Sequence, residues 1–237
     1  MTLTWDRGSN HTRIKLCEFE SLDAAYEASF IGADLLGFHL FAFQDHLARA
    51  RTFADIFRYL PDHIEKTLLT NLTGDRLQDV LSIIEVDAIQ LYNHASREEI
   101  LALRERLGYP VRILKVMSEK PAENGRDDDA FIAYYDDIVD AFLLDSAWIG
   151  GTGVAGNWDH CAEIVRRCRS PVFLAGGLTA DNVRQAIDQV RPFGVDVENG
   201  VSDRMPDGRR VKNLLKCRLF VEKVKEADWL LGRNKAL

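Results

Sequence analysis

Several things are scarce in this chain of 237 residues, and each absence removes a class of function. No apolar run approaches the roughly 20 residues that span a bilayer. The first ten residues, Met1 to Asn10, lack the basic-then-apolar layout of a secretion signal, so residues 1–12 read as a loose polar lead-in. Basic residues are in deficit, 30 Lys and Arg against 37 Asp and Glu, for a net charge of −7. That balance argues against a nucleic-acid partner, although a small anion can still be held locally. The four cysteines, Cys17, Cys161, Cys168 and Cys217, show no CxxC spacing, which speaks against a zinc ribbon and a disulfide framework. The six histidines form no His-Glu-x-x-His pattern, and the adjacent Asp127, Asp128 and Asp129 do not all turn toward one ion, so no metal is expected. A soluble chain in a reducing, cytoplasmic setting fits these gaps.

What is present is an alternation. Short apolar runs at Arg13–Cys17, Asp34–Phe41, Lys66–Asn71, Asp87–Tyr92, Val111–Val116, Ala141–Asp145, Val172–Ala175 and Val195–Val197 read as strands. Between them lie helical patterns, among them Ser21–Ser29 with Ser21 as N-cap, Asp45–Tyr59, Asp75–Ile84, Arg97–Leu107, Phe131–Val139, Trp158–Cys168 and Lys212–Ala227. Eight strand–helix units in about this length predict the α/β class and a (β/α)8 TIM barrel in one domain, residues 13–237. An open doubly wound sheet is the runner-up. The polar stretch Ser118–Asp129 reads as a solvated excursion rather than a working lid.

In such a barrel the chemistry sits at the C-terminal ends of the strands. The stretches Pro171-Val-Phe-Leu-Ala-Gly-Gly-Leu178 and Phe193-Gly-Val-Asp-Val-Glu-Asn-Gly200 each end a buried strand in glycine. With Thr179 capping a following helix, the tandem reads as a phosphate cradle of backbone N–H groups; tight βα turns are the plainer reading. Cys17, just past strand one, is a candidate base or a small buried hydrophobe. Asp145, closing strand six, is a candidate acid or an Asx turn. Gly150-Gly-Thr-Gly153 is a further glycine-rich loop without the features of a P-loop.

Taken in order, these segments resemble the phosphoribosylanthranilate isomerase family, from about Arg13 to Lys225. The likeness is carried by Ile14-Lys-Leu-Cys17, Gly32-Ala-Asp-Leu-Leu-Gly-Phe38, Ile89-Gln-Leu91, Leu143-Leu-Asp145 with Gly150-Gly-Thr-Gly153, Leu174-Ala-Gly-Gly-Leu178 with Asn182-Val183, and Val190–Val197 with Gly200-Val201. The resemblance implies a ribulose-phosphate-binding barrel that performs a cofactor-independent Amadori rearrangement of a phosphoribosyl amine. Cys17 would be the general base and Asp145 the general acid. Gly176, Gly177, Asn199 and Gly200 would hold the phosphate, with Lys15, Gln90, Gly151 and Arg51 as substrate-binding candidates. The partner implied is a small phosphorylated sugar, for a monomer or homodimer.

Departures from the family pattern gather at the loop ends. Glu18 stands where the family usually has Gly, Tyr92-Asn93 where it commonly reads His-Gly, and Glu198-Asn199 where it commonly has two serines. The Ser-Pro-Arg that follows strand two in the family is missing, and Arg49 and Arg51 lie in that region instead. These changes suggest an altered specificity on the aromatic side of the substrate. Other readings are a lyase or aldolase using Lys15 or Lys115 as a Schiff base, against which a strand-end lysine paired with a carboxylate is favoured. A non-catalytic phosphate-ligand protein on the same scaffold is the last.

Overall fold

The computed structural model describes residues 5, 11–92, 95–117, 127–146 and 157–233. Eight parallel strands pair in chain order: β1 (Arg13–Leu16), β2 (Leu35–His39), β3 (Glu65–Thr70), β4 (Ala88–Leu91), β5 (Arg112–Val116), β6 (Ala141–Asp145), β7 (Val172–Ala175) and β8 (Gly194–Val197). β8 pairs back onto β1, with Lys15 opposite Asp196, so the sheet closes. This is the (β/α)8 barrel that the alternation predicts, and closure excludes the open doubly wound sheet.

The outer layer is α1 (Leu22–Ala28), α2 (His46–Phe57), α3 (Gly74–Leu81), α4 (Arg97–Arg106), α5 (Asp128–Tyr135), α6 (Trp158–Arg167), α7 (Val183–Val190) and α8 (Leu214–Leu230). Ser21 caps α1 as expected, accepting from the Ala24 N–H. Thr179 does not cap α7. Asn182 Oδ1 accepts from the Thr179 N–H at 2.8 Å, and this tight turn delays the helix to Val183. Lys212 is likewise not helical. It ends a hairpin of β9 (Ser202–Arg204) and β10 (Arg210–Lys212), and Asn213 then caps α8 by accepting from Lys216 N–H. Among the described residues no helix is long and apolar enough to cross a membrane.

Because side chains alternate across a strand, each one feeds two cores. Leu16, Phe38, Leu68, Ile113, Leu144 and Val195 point outward into the shell between sheet and helices. Leu35, Ala88, Leu114, Ala141 and Phe173 fill the barrel interior. Three aspartates, evenly spaced along the chain, tie the ring together below. Asp34, Asp87 and Asp140 precede β2, β4 and β6, and accept from the backbone N–H groups of Ile14, Lys66 and Ile113 at 2.7, 2.8 and 2.7 Å.

The floor is stoppered by Trp5, which the sequence reading leaves in a loose lead-in. It is buried against Phe173 and Phe193, its indole N–H donates to Glu65 Oε2 at 3.0 Å, and the Arg112 guanidinium lies 5.1 Å from its ring centroid. Thr12 is also buried, bonded through backbone and side chain to Asp228 on α8. An indole removed from water in this way fixes Trp5 to the barrel.

Candidate active site

β1 turns two side chains inward at its C-terminal end, Lys15 and then Cys17. Lys15 is wholly buried, and its Nζ donates to Asp196 Oδ1 at 2.9 Å and to Cys17 Sγ at 3.4 Å. Burial alone would strip such an ammonium of its proton, but Asp196 and Cys17 outweigh it and raise the pKa. Lys15 thus sits beneath the site, paired with Asp196 and in contact with the thiol. Lys115 faces the other way, with Nζ 5.6 and 5.2 Å from the ring centroids of Phe131 and Tyr135 on α5. Lys115 is thus turned away from the barrel mouth, while the Lys15 ammonium is engaged by Asp196 and Cys17.

The Cys17 thiol lies over Gly37 of β2, where a Cβ would come within 2.7 Å of Sγ. Only glycine leaves that volume free. His39, two residues further along β2 and on the same face, closes over the thiol. Its Nε2 lies 3.4 Å from Cys17 Sγ and 3.4 Å from Glu198 Oε2. Burial opposes charge on His39, yet Cys17 and Glu198 lift its pKa to about 10. Glu198 answers in the opposite sense: burial works to raise it, and the hydrogen bond and charge of His39 bring it below the usual carboxylate range. The glutamate found where the family has serine is thus taken up by an imidazolium.

Sequence reasoning missed His39. The available signal was its parity, since a histidine two residues after an inward glycine at a strand's end must face the mouth. Cys17, His39 and Glu198 bring their donor atoms within 4.8 Å of one another, a set of the type that holds a zinc-class ion. Here the Lys15 ammonium on the sulfur and the proton on His39 already supply positive charge.

Across the mouth lies a cavity of about 310 Å³ lined by Tyr92, Asp145, Gly176, Gly177, Glu198, Asn199 and Gly200, with Asp196 at its base. The Tyr92 phenol is pushed well up, first by burial and then by Cys17, Asp196, Glu198 and Asp145. Asp145 lines the cavity directly, and Cys17 lies beside it, linked through Lys15 to Asp196 and through His39 to Glu198. Gln90, fully buried below, donates from Nε2 to Tyr92 Oη at 3.0 Å. That bond leaves the phenol's own hydrogen free to be donated upward.

The two glycine turns are locked together. Gly176 and Gly177 take φ of 89° and 67°, and Asn182 Nδ2 donates to the Gly177 carbonyl at 2.9 Å. Gly200, in a short 3-10 turn after β8, passes so near Leu178 that a Cβ would sit 2.0 Å from its carbonyl oxygen.

Most of the residues singled out in the sequence therefore meet. Asp145, Gly176, Gly177, Asn199 and Gly200 line the cavity, and Cys17, Gln90 and Lys15 stack beside and below it. Arg51 does not join them. It is exposed on α2, whose buried face is Ala50, Phe53 and Ile56. Arg49 is the inward arginine, donating to the His39 carbonyl at 2.7 Å and to Glu20 at 2.8 Å. Gly151 and its loop, Asn93, and residues 118–126 of the polar excursion lie outside the described residues.

Known proteins resemble this chain both in sequence and in fold. A model of the family described as N-(5'-phosphoribosyl)anthranilate isomerase matches residues 68–223. The N-(5'-phosphoribosyl)anthranilate isomerase of Geotalea daltonii is 31% identical over 221 residues, covering 91% of this chain and 97% of that protein. A Methanosarcina mazei protein named N-(5'-phosphoribosyl)anthranilate isomerase 2 is 29% identical over 95% of this chain and 99% of its own length. Among solved structures, the Thermotoga maritima enzyme superposes with a TM-score of 0.72 at 28% identity, covering 91% of this chain and 99% of that one. A phosphoribosyl anthranilate isomerase in complex with reduced 1-(o-carboxyphenylamino)-1-deoxyribulose 5-phosphate gives 0.71 at 26%, with the same coverage. By family match, identity and shape alike, this chain belongs to the N-(5'-phosphoribosyl)anthranilate isomerase family.

Proposed function

We propose that the chain isomerises N-(5'-phosphoribosyl)anthranilate to the 1-amino-1-deoxyribulose product by acid/base catalysis. The observation that carries this reading is one cavity lined by Asp145 and by the locked pair of glycine turns, with Cys17 held beside it by Lys15 on Asp196 and by His39 on Glu198. Asp145 protonates the ribose ring oxygen and the ring opens to an imine. Cys17 then removes the C2 proton, and the enolamine collapses to the ketone. The turns at Gly176-Gly177 and Asn199-Gly200 hold the phosphate by backbone N–H groups, which fixes the sugar between acid and base. Tyr92 donates its free hydrogen to a sugar oxygen, and Gln90 sets its orientation.

A lyase or aldolase reading needs a free amine in the mouth; Lys115 is turned to α5, and the Lys15 ammonium is taken up by Asp196 and Cys17. The complex of the structural relative with an anthranilate-bearing ribulose phosphate supports the same substrate class here.

The test is turnover of phosphoribosylanthranilate, followed through loss of its fluorescence. Cys17→Ser and Asp145→Asn are each expected to lower kcat by roughly 10²–10⁴, the ordinary worth of a general acid or base. A wild type that binds a sugar phosphate but leaves this substrate unchanged would overturn the reading.

A further inference from the structure

Cys17 is 1% exposed, whereas Glu198 is half-open to the cavity, and a single atom, His39 Nε2, stands between them. A base so deeply covered must exchange its proton through a neighbour. The geometry points to a proton relay in which His39 and Glu198 connect Cys17 to solvent, so that the base of this chain works as a three-residue unit. The inference rests on the proposed isomerisation.

The steps balance as follows. When the C2–H bond breaks, S–H forms, and the electron pair moves into C1–C2 to neutralise the imine nitrogen. His39 passes its Nε2 proton to Glu198 Oε2, and the freed nitrogen lone pair takes the proton from sulfur. The thiolate and the Nε2–H are both regenerated, and Glu198 releases its proton to water. Other charged groups surround the trio. Lys15 on β1 donates to the same sulfur, Arg49 on α2 holds the His39 carbonyl, and Lys212 on β10 donates to the Glu198 carbonyl at 3.2 Å. Glu18 and Asp196, both near His39, are the remaining acids, and Tyr92 faces the cluster from β4.

The relay decides where a labelled proton goes. Collapse of the enolamine delivers a proton to C1. If Cys17 kept the proton it removed, that same proton would appear at C1; if the relay exchanges it, C1 receives one from water. The experiment uses phosphoribosylanthranilate deuterated at C2 and reads the deuterium at C1 of the product for wild type, Glu198→Gln and His39→Gln. Expected is little label at C1 for wild type and several-fold more in both variants. Their kcat should fall about tenfold while KM changes little. Melting temperatures separate a relay defect from misfolding, and Glu198→Gln, at a half-exposed position, stands alone if His39→Gln does not fold. Label transfer equal to wild type in a folded, active Glu198→Gln overturns the relay alone. A wild type that does not turn over the substrate overturns the functional reading and the relay with it.

Discussion

The two ends of this barrel are built from similar parts put to different use. At the floor, Glu65 receives the Trp5 indole N–H at 3.0 Å, Arg13 at 2.6 Å and Arg112 at 3.1 Å, and Trp5 packs on Phe173 and Phe193. Two guanidinium groups meet one carboxylate there, and aromatic rings fill the remaining space. At the mouth the balance is reversed. Glu18, Asp145, Asp196 and Glu198 gather there, with Lys15, His39 and Lys212 as cations among them. The floor places its charges where they satisfy one another. Burial pushes the Glu18 and Asp196 carboxyls up at the mouth, while His39 draws Glu198 down, so neighbouring acids differ in proton affinity.

The sharpest way to break this contrast is to remove the one ion pair the mouth shares with the core. Lys15→Met leaves Asp196 buried without its partner, and such a loss costs about 3–5 kcal/mol. Activity should vanish with it, since Cys17 loses a hydrogen-bond donor. Trp5→Ala at the floor should cost about 3 kcal/mol by cavity formation. Below its lowered melting temperature this variant should keep wild-type kcat. Urea unfolding and turnover measured on the same samples check both. A Trp5 variant with impaired kcat would show that the ends are coupled and the division of labour false.

The floor and the mouth also differ in how well the sequence announces them. The ring of strands is legible because each buried run is short, β-branched and followed by a helical pattern, and Cys17, Asp145 and the glycine turns fall at strand ends that periodicity alone locates. Lys15 meets a carboxylate, Asp196, as alternation and burial suggest. What stays hidden depends on contacts between distant segments. Trp5 sits in a polar stretch with no period, and only the approach of β3, β5 and β7 makes its pocket. His39 lies in a run that reads as apolar strand, and its meaning appears once β8 brings Glu198 beside it. The hairpin of β9 and β10 is missed although Pro206-Asp207-Gly208 is a turn signal, because the short runs on either side are too polar to read as strands.

A smaller effect sharpens the electrostatic half of the comparison. His39 has a folded-state pKa of about 10 against an ordinary 6.5, so its protonation stabilises the fold. That contribution is fully present below about pH 6.5 and is lost as pH rises through about 10. The stability gap between wild type and His39→Gln should therefore be widest at neutral or lower pH and close on the alkaline side. Chemical denaturation across that window measures it. Trp5→Ala removes no titratable group, so it should show a gap that is flat over the same range.

The smallest expected effect concerns Glu18, where strain and charge coincide. Its φ of 68° is left-handed, a conformation that disfavours a side chain, in the place where the family usually has glycine. Its carboxyl is also pushed up, first by burial and then by Glu198, so its ionised form is disfavoured in the folded state. The two penalties have different pH signatures. The strain is constant, whereas the charge cost is absent when the carboxyl is protonated in both states and appears as pH rises through the raised folded pKa. Glu18→Gln keeps the strain and removes the charge; Glu18→Gly removes both. Glycine should stabilise by about 1 kcal/mol from backbone relief alone, or roughly 2–4 °C in Tm. At pH 4 only Glu18→Gly should exceed wild type, and at pH 8 both variants should, with glycine ahead. Equal melting temperatures for the two variants at pH 8 would mean that the left-handed turn costs nothing, leaving charge as the only burden the mouth carries that the floor does not.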